Sequence, residues 1–229
     1  MAIQLTATDV HLTSVVTNFP NRALPMSMSC WVNSTDWTSG NPVSMVGVYL
    51  DGTTAIQIGT RGGGAIDVWS WGGAVNISTT GLFNPTPETW LHIAYTWNGT
   101  THSIYADGNL ITTSTTAVTS GVLSAIYING FPTGGLSEVS STFVDDVAYY
   151  SNELTAAEVS TVYMMRGYRD SIFDGLIARY CFNELPPGSN VTSVVDYSGN
   201  NNLLTLTGTG TSPVYVAGVI DLDERPVLG

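Results

Sequence analysis

Three side chains in the stretch IDVWSWGG are spaced to handle a sugar. Asp67, Trp69 and Trp71 alternate along the chain, so in an extended strand they project from one face, two indole rings beside a carboxylate. The rings can stack on a pyranose and the carboxylate can accept hydroxyl hydrogens. The same residue types suit a protein interface, where tryptophan is enriched. All three are therefore candidates for glycan binding or for an interface. Covalent chemistry has less to work with. No G-x-S-x-G occurs, and neither Cys30 nor Cys181 stands in a cysteine-protease signature. His11 and His102 lack a paired ligand spacing, so the scattered histidines assemble no zinc motif. Asp221 and Asp223 share a parity but lie in DLDERPVLG, where a solvated tail or an edge strand is expected.

Composition narrows the partners. The formal charge is -12, with six arginines and no lysine, which opposes a phosphate backbone or an anionic membrane surface. Neither nucleic acid nor membrane is expected. The opening MAIQLTATDVHL has no basic region followed by an apolar one, and no segment reaches the length of a spanning helix, so a soluble product without a standard secretion signal is expected. The sequons at Asn33, Asn76, Asn98 and Asn190 then carry little meaning. Two cysteines are too few for a disulfide scaffold. At 229 residues, with 10% charged and 43% hydrophobic, one all-β domain is the simplest organisation.

The elements that must position these groups are mostly strands. MSMSCWVN alternates Met26, Met28, Cys30 and Val32 against polar or aromatic residues, the period of a half-buried strand. Asp51-Gly52 and the run Arg61 to Gly64 punctuate three more apolar runs, which predicts a meander. Asn98-Gly99 predicts a type I′ hairpin, and Asp107-Gly108 a second turn. One helix is predicted near 156-166. Thr155 and Glu158 form a capping box, Leu154 and Val159 a hydrophobic staple, and Gly167 a left-handed stop preceded by Arg166. The fold class is all-β, an antiparallel two-sheet β-sandwich of jelly-roll type.

TFVDDVAYYSNELTAAEVSTVY resembles the closing strand and helix of the laminin G-like, concanavalin A-like lectin/glucanase superfamily, and TWLHIAYTWNGTTHSIYADGNLI its central hairpin. SMSCWVN matches an early strand of that family, while GLIARYCFNE followed by DYSGNNNLLTLTG is similar to the segment with which such domains begin. Here that segment comes last. A single domain over 1-229 is expected, with residues 175-208 supplying the strand usually found first. Circular permutation does this within one chain, and strand exchange does it between subunits of an oligomer; a truncated second repeat is the third reading.

The resemblance implies a binding or structural module. It brings glucanases to mind, but no E-x-D-x-E occurs, and adjacent Asp145 and Asp146 in a regular strand face opposite ways, so no enzyme is expected. Family domains often hold calcium in loop oxygens, which makes Asp145, Asp146, Asp196, Asn200 and Asn202 candidate ligands, with no cofactor required. His92 shares parity with Trp90 and Ala94 on the side that the resemblance buries, as a core histidine. The functional expectation is a virion structural protein on the outer surface of a tailed bacteriophage. It would be a capsid decoration (cement) or fibre module that contacts the major capsid protein. The alternative is a glycan-binding lectin or adhesin at a cell surface or fibre tip.

Alternation places Cys30 and Cys181 on different faces, and a bridge needs converging Cβ positions. Thiol titration of the denatured, unreduced protein should find two reactive sulfurs; finding none would show the face assignment to be wrong.

Overall fold

The computed structural model describes residues 1–5, 10–15, 25–37, 43–50, 54–60, 64–71, 76–116, 123–129, 142–165, 172, 174–208 and 212–218. Eight strands form the first sheet, sheet A: β1 (Ala2–Leu5), β3 (Met26–Ser34), β8 (Leu91–Trp97), β9 (His102–Ala106), β10 (Asn109–Ser114), β12 (Thr142–Tyr150), β13 (Leu176–Tyr180) and β16 (Val214–Val216). Sheet B holds β2 (Val10–Val15), β4 (Val43–Leu50), β5 (Thr54–Thr60), β6 (Asp67–Trp71), β7 (Asn76–Ser78), β11 (Leu123–Ile128), β14 (Ser193–Val194) and β15 (Leu204–Gly208). All named pairs are antiparallel, and β4, β5 and β6 lie side by side as the expected meander.

Alternation decides what enters the core. Met28, Cys30 and Val32 of β3, Ile93 and Tyr95 of β8, Val46 and Val48 of β4 and Ile56 and Ile58 of β5 share one cluster between the sheets. Their strand neighbours face outward. The single helix among the described residues, α1 (Ala156–Met165), covers the outer face of sheet A, where Val159 and Val162 pack on Ala94, Tyr105, Ala148 and Tyr150. Its start follows the predicted capping box. The Thr155 backbone N–H donates to Glu158 Oε2 at 2.7 Å, and the Glu158 N–H donates to Thr155 Oγ1 at 3.3 Å. Such a cap contributes about 1 kcal/mol. Leu154 and Val159 are buried in one cluster, as a staple requires. Arg166, Gly167, the Asp51-Gly52 turn and Arg61 to Gly63 lie outside the described residues.

Two turns differ from each other. Asp107 and Gly108 both have positive φ, 46° and 76°, and join β9 to β10 as a two-residue turn. Glycine is needed at 108, because a side chain there would meet α1 at Ser160 and Tyr163 as well. Asn98-Gly99 does not make the expected type I′ turn. Trp97 pairs with His102, leaving a four-residue loop, and Asn98 Oδ1 accepts from the backbone N–H groups of Thr100 and Thr101 at 2.9 and 2.8 Å. The asparagine side chain has taken over the work of the turn.

β12 is paired on both edges. One edge meets β3 from Thr142 to Tyr150. The other is shared: β1 pairs with residues 142–144, and β13 with residues 147–150, in the same direction. Bulges interrupt both ladders. Asp146, at φ 42°, lies in the shift between Asp145 and Ala148, so the expectation that Asp145 and Asp146 simply alternate fails there. A second shift skips Ile177, between the pairs Tyr149↔Ala178 and Tyr150↔Leu176. It sends Leu176 to the cluster under α1 and Ile177 into the central core with Ala178, Tyr180 and Phe182. Regular alternation predicts the reverse for those first two residues.

Tyr180, Phe182 and Leu204 all lie in the central core, and burying three such side chains is worth about 5–9 kcal/mol, comparable to a domain's net stability of about 5–15 kcal/mol. A fragment ending at residue 167 should therefore aggregate or lose its cooperative melt, and a peptide covering 170–210 should rescue it in trans. A soluble fragment with a sharp melting transition would mean that the sandwich stands without its tail.

Candidate functional site

The expected sugar platform on β6 sits deep. Asp67 and Trp69 are 6% and 7% exposed, so neither offers an open face; the Trp71 side chain lies outside the described residues. Strand register explains the company they keep. On the outer face of sheet B, Trp69 stands opposite Gln57, Gln57 opposite Gly47, and Gly47 opposite Tyr127. The Tyr127 ring lies over Gly47, where a Cβ would collide with it, and its hydroxyl donates to Gln57 Oε1 at 3.2 Å. Tyr49, Ala55 and Tyr127 form a small apolar cluster on this face. Sequence reading missed Gln57, Tyr49 and Tyr127, because only the pairing of β4, β5 and β11 brings them beside Trp69.

An aromatic ring does reach solvent elsewhere. Tyr197 is 50% exposed, in the loop between β14 and β15. Around it the chain is fastened down. Asp196 Oδ1 accepts from the Arg179 and Ser198 backbone N–H groups at 3.0 and 2.9 Å, and Oδ2 from Ser198 Oγ and the Asn202 N–H, both at 2.9 Å. Asn200 Nδ2 donates to the carbonyls of Leu176 and Ile177, and Asn202 Nδ2 to that of Ile177. The loop is thus tied to β13 by its polar side chains, leaving Tyr197 to project. Beside it, Glu184 Oε1 accepts from the Val195 N–H at 3.1 Å and Oε2 from the Tyr215 hydroxyl at 3.1 Å. Partial burial, together with the Glu184 charge, raises the Tyr197 phenol pKa. Val195 and Leu203 are exposed on the same hairpin, one step beyond the pair Val194↔Leu204, and Leu185 is exposed in the connection from β13 to β14, next to Glu184. Sequence reading missed Tyr197, although it stands between the two turn-forming residues Asp196 and Ser198.

The candidate calcium ligands are put to other uses. Asp146 Oδ1 accepts from Arg179 Nε and Nη2, both at 3.0 Å, in a buried ion pair. Asp145 Oδ1 accepts the Asp146 N–H at 2.9 Å. Asp196, Asn200 and Asn202 clamp the loop. Among the described residues no group of three or more His, Cys, Asp or Glu is placed to hold a metal ion. Cys30 and Cys181 are both free. Burial pushes the Cys181 thiol up to about 12, with the Asp146 carboxylate adding to it.

Two buried histidines contrast. His102 accepts the Tyr95 hydroxyl at Nδ1 and donates from Nε2 to the Thr116 carbonyl, both at 2.7 Å, which defines a neutral tautomer. Burial lowers its pKa. His92 lies on the outer face of sheet A against Trp31 and Tyr163, with ring centroids 5.3 and 5.8 Å away. It is a core histidine, and burial lowers its pKa to about 3.

A sequence profile of the Concanavalin A-like lectin/glucanases superfamily matches residues 6–160. The chain belongs to this family. A Bacteroides ovatus protein proposed to bind carbohydrate superposes with a TM-score of 0.65 at 18% identity, over 94% of this chain and 61% of that one. A heptameric SAP-like pentraxin from Limulus polyphemus gives 0.53 at 15% identity, over 90% and 97%. A Trypanosoma rangeli sialidase gives 0.51 at 19%, over 62% of this chain and 23% of the enzyme. At such identities the likeness is one of fold. No curated protein sequence matches the chain.

His92 should make the fold acid-sensitive. Below its ordinary pKa of about 6.5 the unfolded chain takes up a proton that the folded chain refuses. The stability is complete above that pH and falls by about 1.4 kcal/mol per unit as pH drops toward the folded value. Urea melts at pH 7, 6, 5 and 4 should show a shallower pH slope for His92→Gln than for the parent. Equal slopes would mean that His92 does not titrate on unfolding.

Proposed function

We propose that the chain is a carbohydrate-binding module, without catalysis of its own, that recognises glycan through the surface around Tyr197. The observation that carries this reading is a half-exposed aromatic ring on a loop immobilised by Asp196, Asn200 and Asn202, with the Glu184 carboxylate beside it. A ring held in place loses little freedom on binding, and a carboxylate accepts sugar hydroxyls. The carbohydrate assignment of the Bacteroides ovatus protein supports it. The absence of catalysis is supported by Asp145 and Asp146, since Asp146 is held by Arg179 and glycosidases need two carboxyl groups flanking one bond. On this reading Asp67 and Trp69 act by packing the outer face of sheet B.

Leu185, Val195 and Leu203 favour a second reading, in which the same patch seats on another protein. Attachment to a virion shell would be one case of it. Glycan-array screening followed by calorimetry decides between them. Glycan binding should fall at least about tenfold in Tyr197→Ala, as expected for loss of a stacking ring, while Trp69→Ala should lower the melting temperature. If no glycan binds, or if Tyr197→Ala binds as well as the parent, the carbohydrate reading at this surface fails.

A further inference from the structure

Between sheet A and α1 lies a layer with more hydrogen-bonding groups than partners. Ser29, Trp31, His92 and Thr96 are 1, 4, 0 and 0% exposed. Among the described residues, Ser29 Oγ, Trp31 Nε1, both ring nitrogens of His92 and Thr96 Oγ1 find no hydrogen-bond partner, and half-buried Asn33 adds its Oδ1. Register gathers them. Trp31 faces His92, Ser29 faces Ala94 and Ser27 faces Thr96 across the pair β3 and β8, so the orphaned groups occupy neighbouring positions on one face. That face is the one α1 covers. Buried polar groups in native proteins are paired in the great majority, and leaving one unmet costs a sizeable part of a domain's net stability. A whole layer of them calls for partners that the described residues do not supply.

The surroundings say what fits. Ser29 is flanked across the sheet by Ala94 and Ala148, whose side chains reach one carbon from the backbone. Trp31 stacks on Tyr163 of α1 at 5.6 Å, a spacer of two rings between sheet and helix. The orphaned set mixes roles: hydroxyls that donate and accept, an indole that only donates, an amide oxygen that only accepts, and a neutral imidazole with one nitrogen of each kind. Such a set suits neither an ion nor an apolar filler. We infer that the space between β3, β8 and α1 is an internal hydration site, in which ordered water bridges Ser29, Thr96 and His92 between sheet and helix. A buried water makes about three hydrogen bonds, so about two waters serve the orphaned atoms. This layer then couples α1 to the sheet through water as well as through the Val159 and Val162 contacts.

Thr96→Val tests the inference, because valine keeps the shape and deletes the hydroxyl. At a hydrated site the change removes a bond to water, and the melting temperature should fall by about 2–4 °C. In a dry layer it relieves an unmet group, so an unchanged or higher melting temperature overturns the inference. A high-resolution crystal structure gives the second reading. Water density within hydrogen-bonding reach of two or more of Ser29 Oγ, Thr96 Oγ1 and the His92 nitrogens is expected, and side-chain packing that leaves no such density overturns it.

Discussion

Everything in this fold leans on the second edge of β12. An unpaired edge in mid-sheet would leave a row of backbone groups without partners, and here two short strands from opposite ends of the sequence close it together. β13 and β1 run head to tail along that edge, so the chain supplies as two pieces what a longer strand would supply as one. The ladder does not stay regular across the join. Asp146 takes up the extra residue of the bulge in a left-handed conformation, which a non-glycine side chain adopts at some cost. Its carboxylate meets Arg179 of β13 at 3.0 Å. Losing one partner of such a buried pair costs about 3–5 kcal/mol, so the same contact that marks the bulge also fastens β13 to it.

The loop that follows β13 inherits this rigidity. Asp196 reaches back to the Arg179 backbone N–H, and so the residue that holds the bulge with its side chain holds the loop with its main chain. Asn200 and Asn202 add their bonds to Leu176 and Ile177. Tyr197 is thereby carried on a scaffold rather than on a free loop, the arrangement by which rigid sandwiches commonly present recognition residues. The surface that remains open is thus a consequence of how the sheet edge is closed.

The two outer faces of the sandwich are used differently. On sheet A a polar and aromatic face lies beneath α1, with Trp31, His92 and Tyr163 in mutual contact. On sheet B, Trp69, Gln57 and Tyr127 form a buried row. Neither face is the open, polar side that alternation in an antiparallel sheet suggests. Outward parity told where a side chain points but carried no information on whether something lies above it.

That difference separates what the sequence determined from what tertiary structure decided. Local chemistry was legible: the capping box at Thr155 and Glu158, the Asp107-Gly108 turn, the alternating strands and the family resemblance all rest on residues close together in the chain. The Asn98 loop was misread because a side chain can replace a turn conformation without changing the dipeptide that signals it. The bulges at Asp146 and Ile177 left no local mark, since an extra residue exists only relative to a partner strand; they moved Leu176 and Ile177 to faces that parity alone reverses. The depth of Trp69 and the openness of Tyr197 were settled by long-range pairing and covering, because exposure is a property of the assembled layers and not of any stretch of sequence.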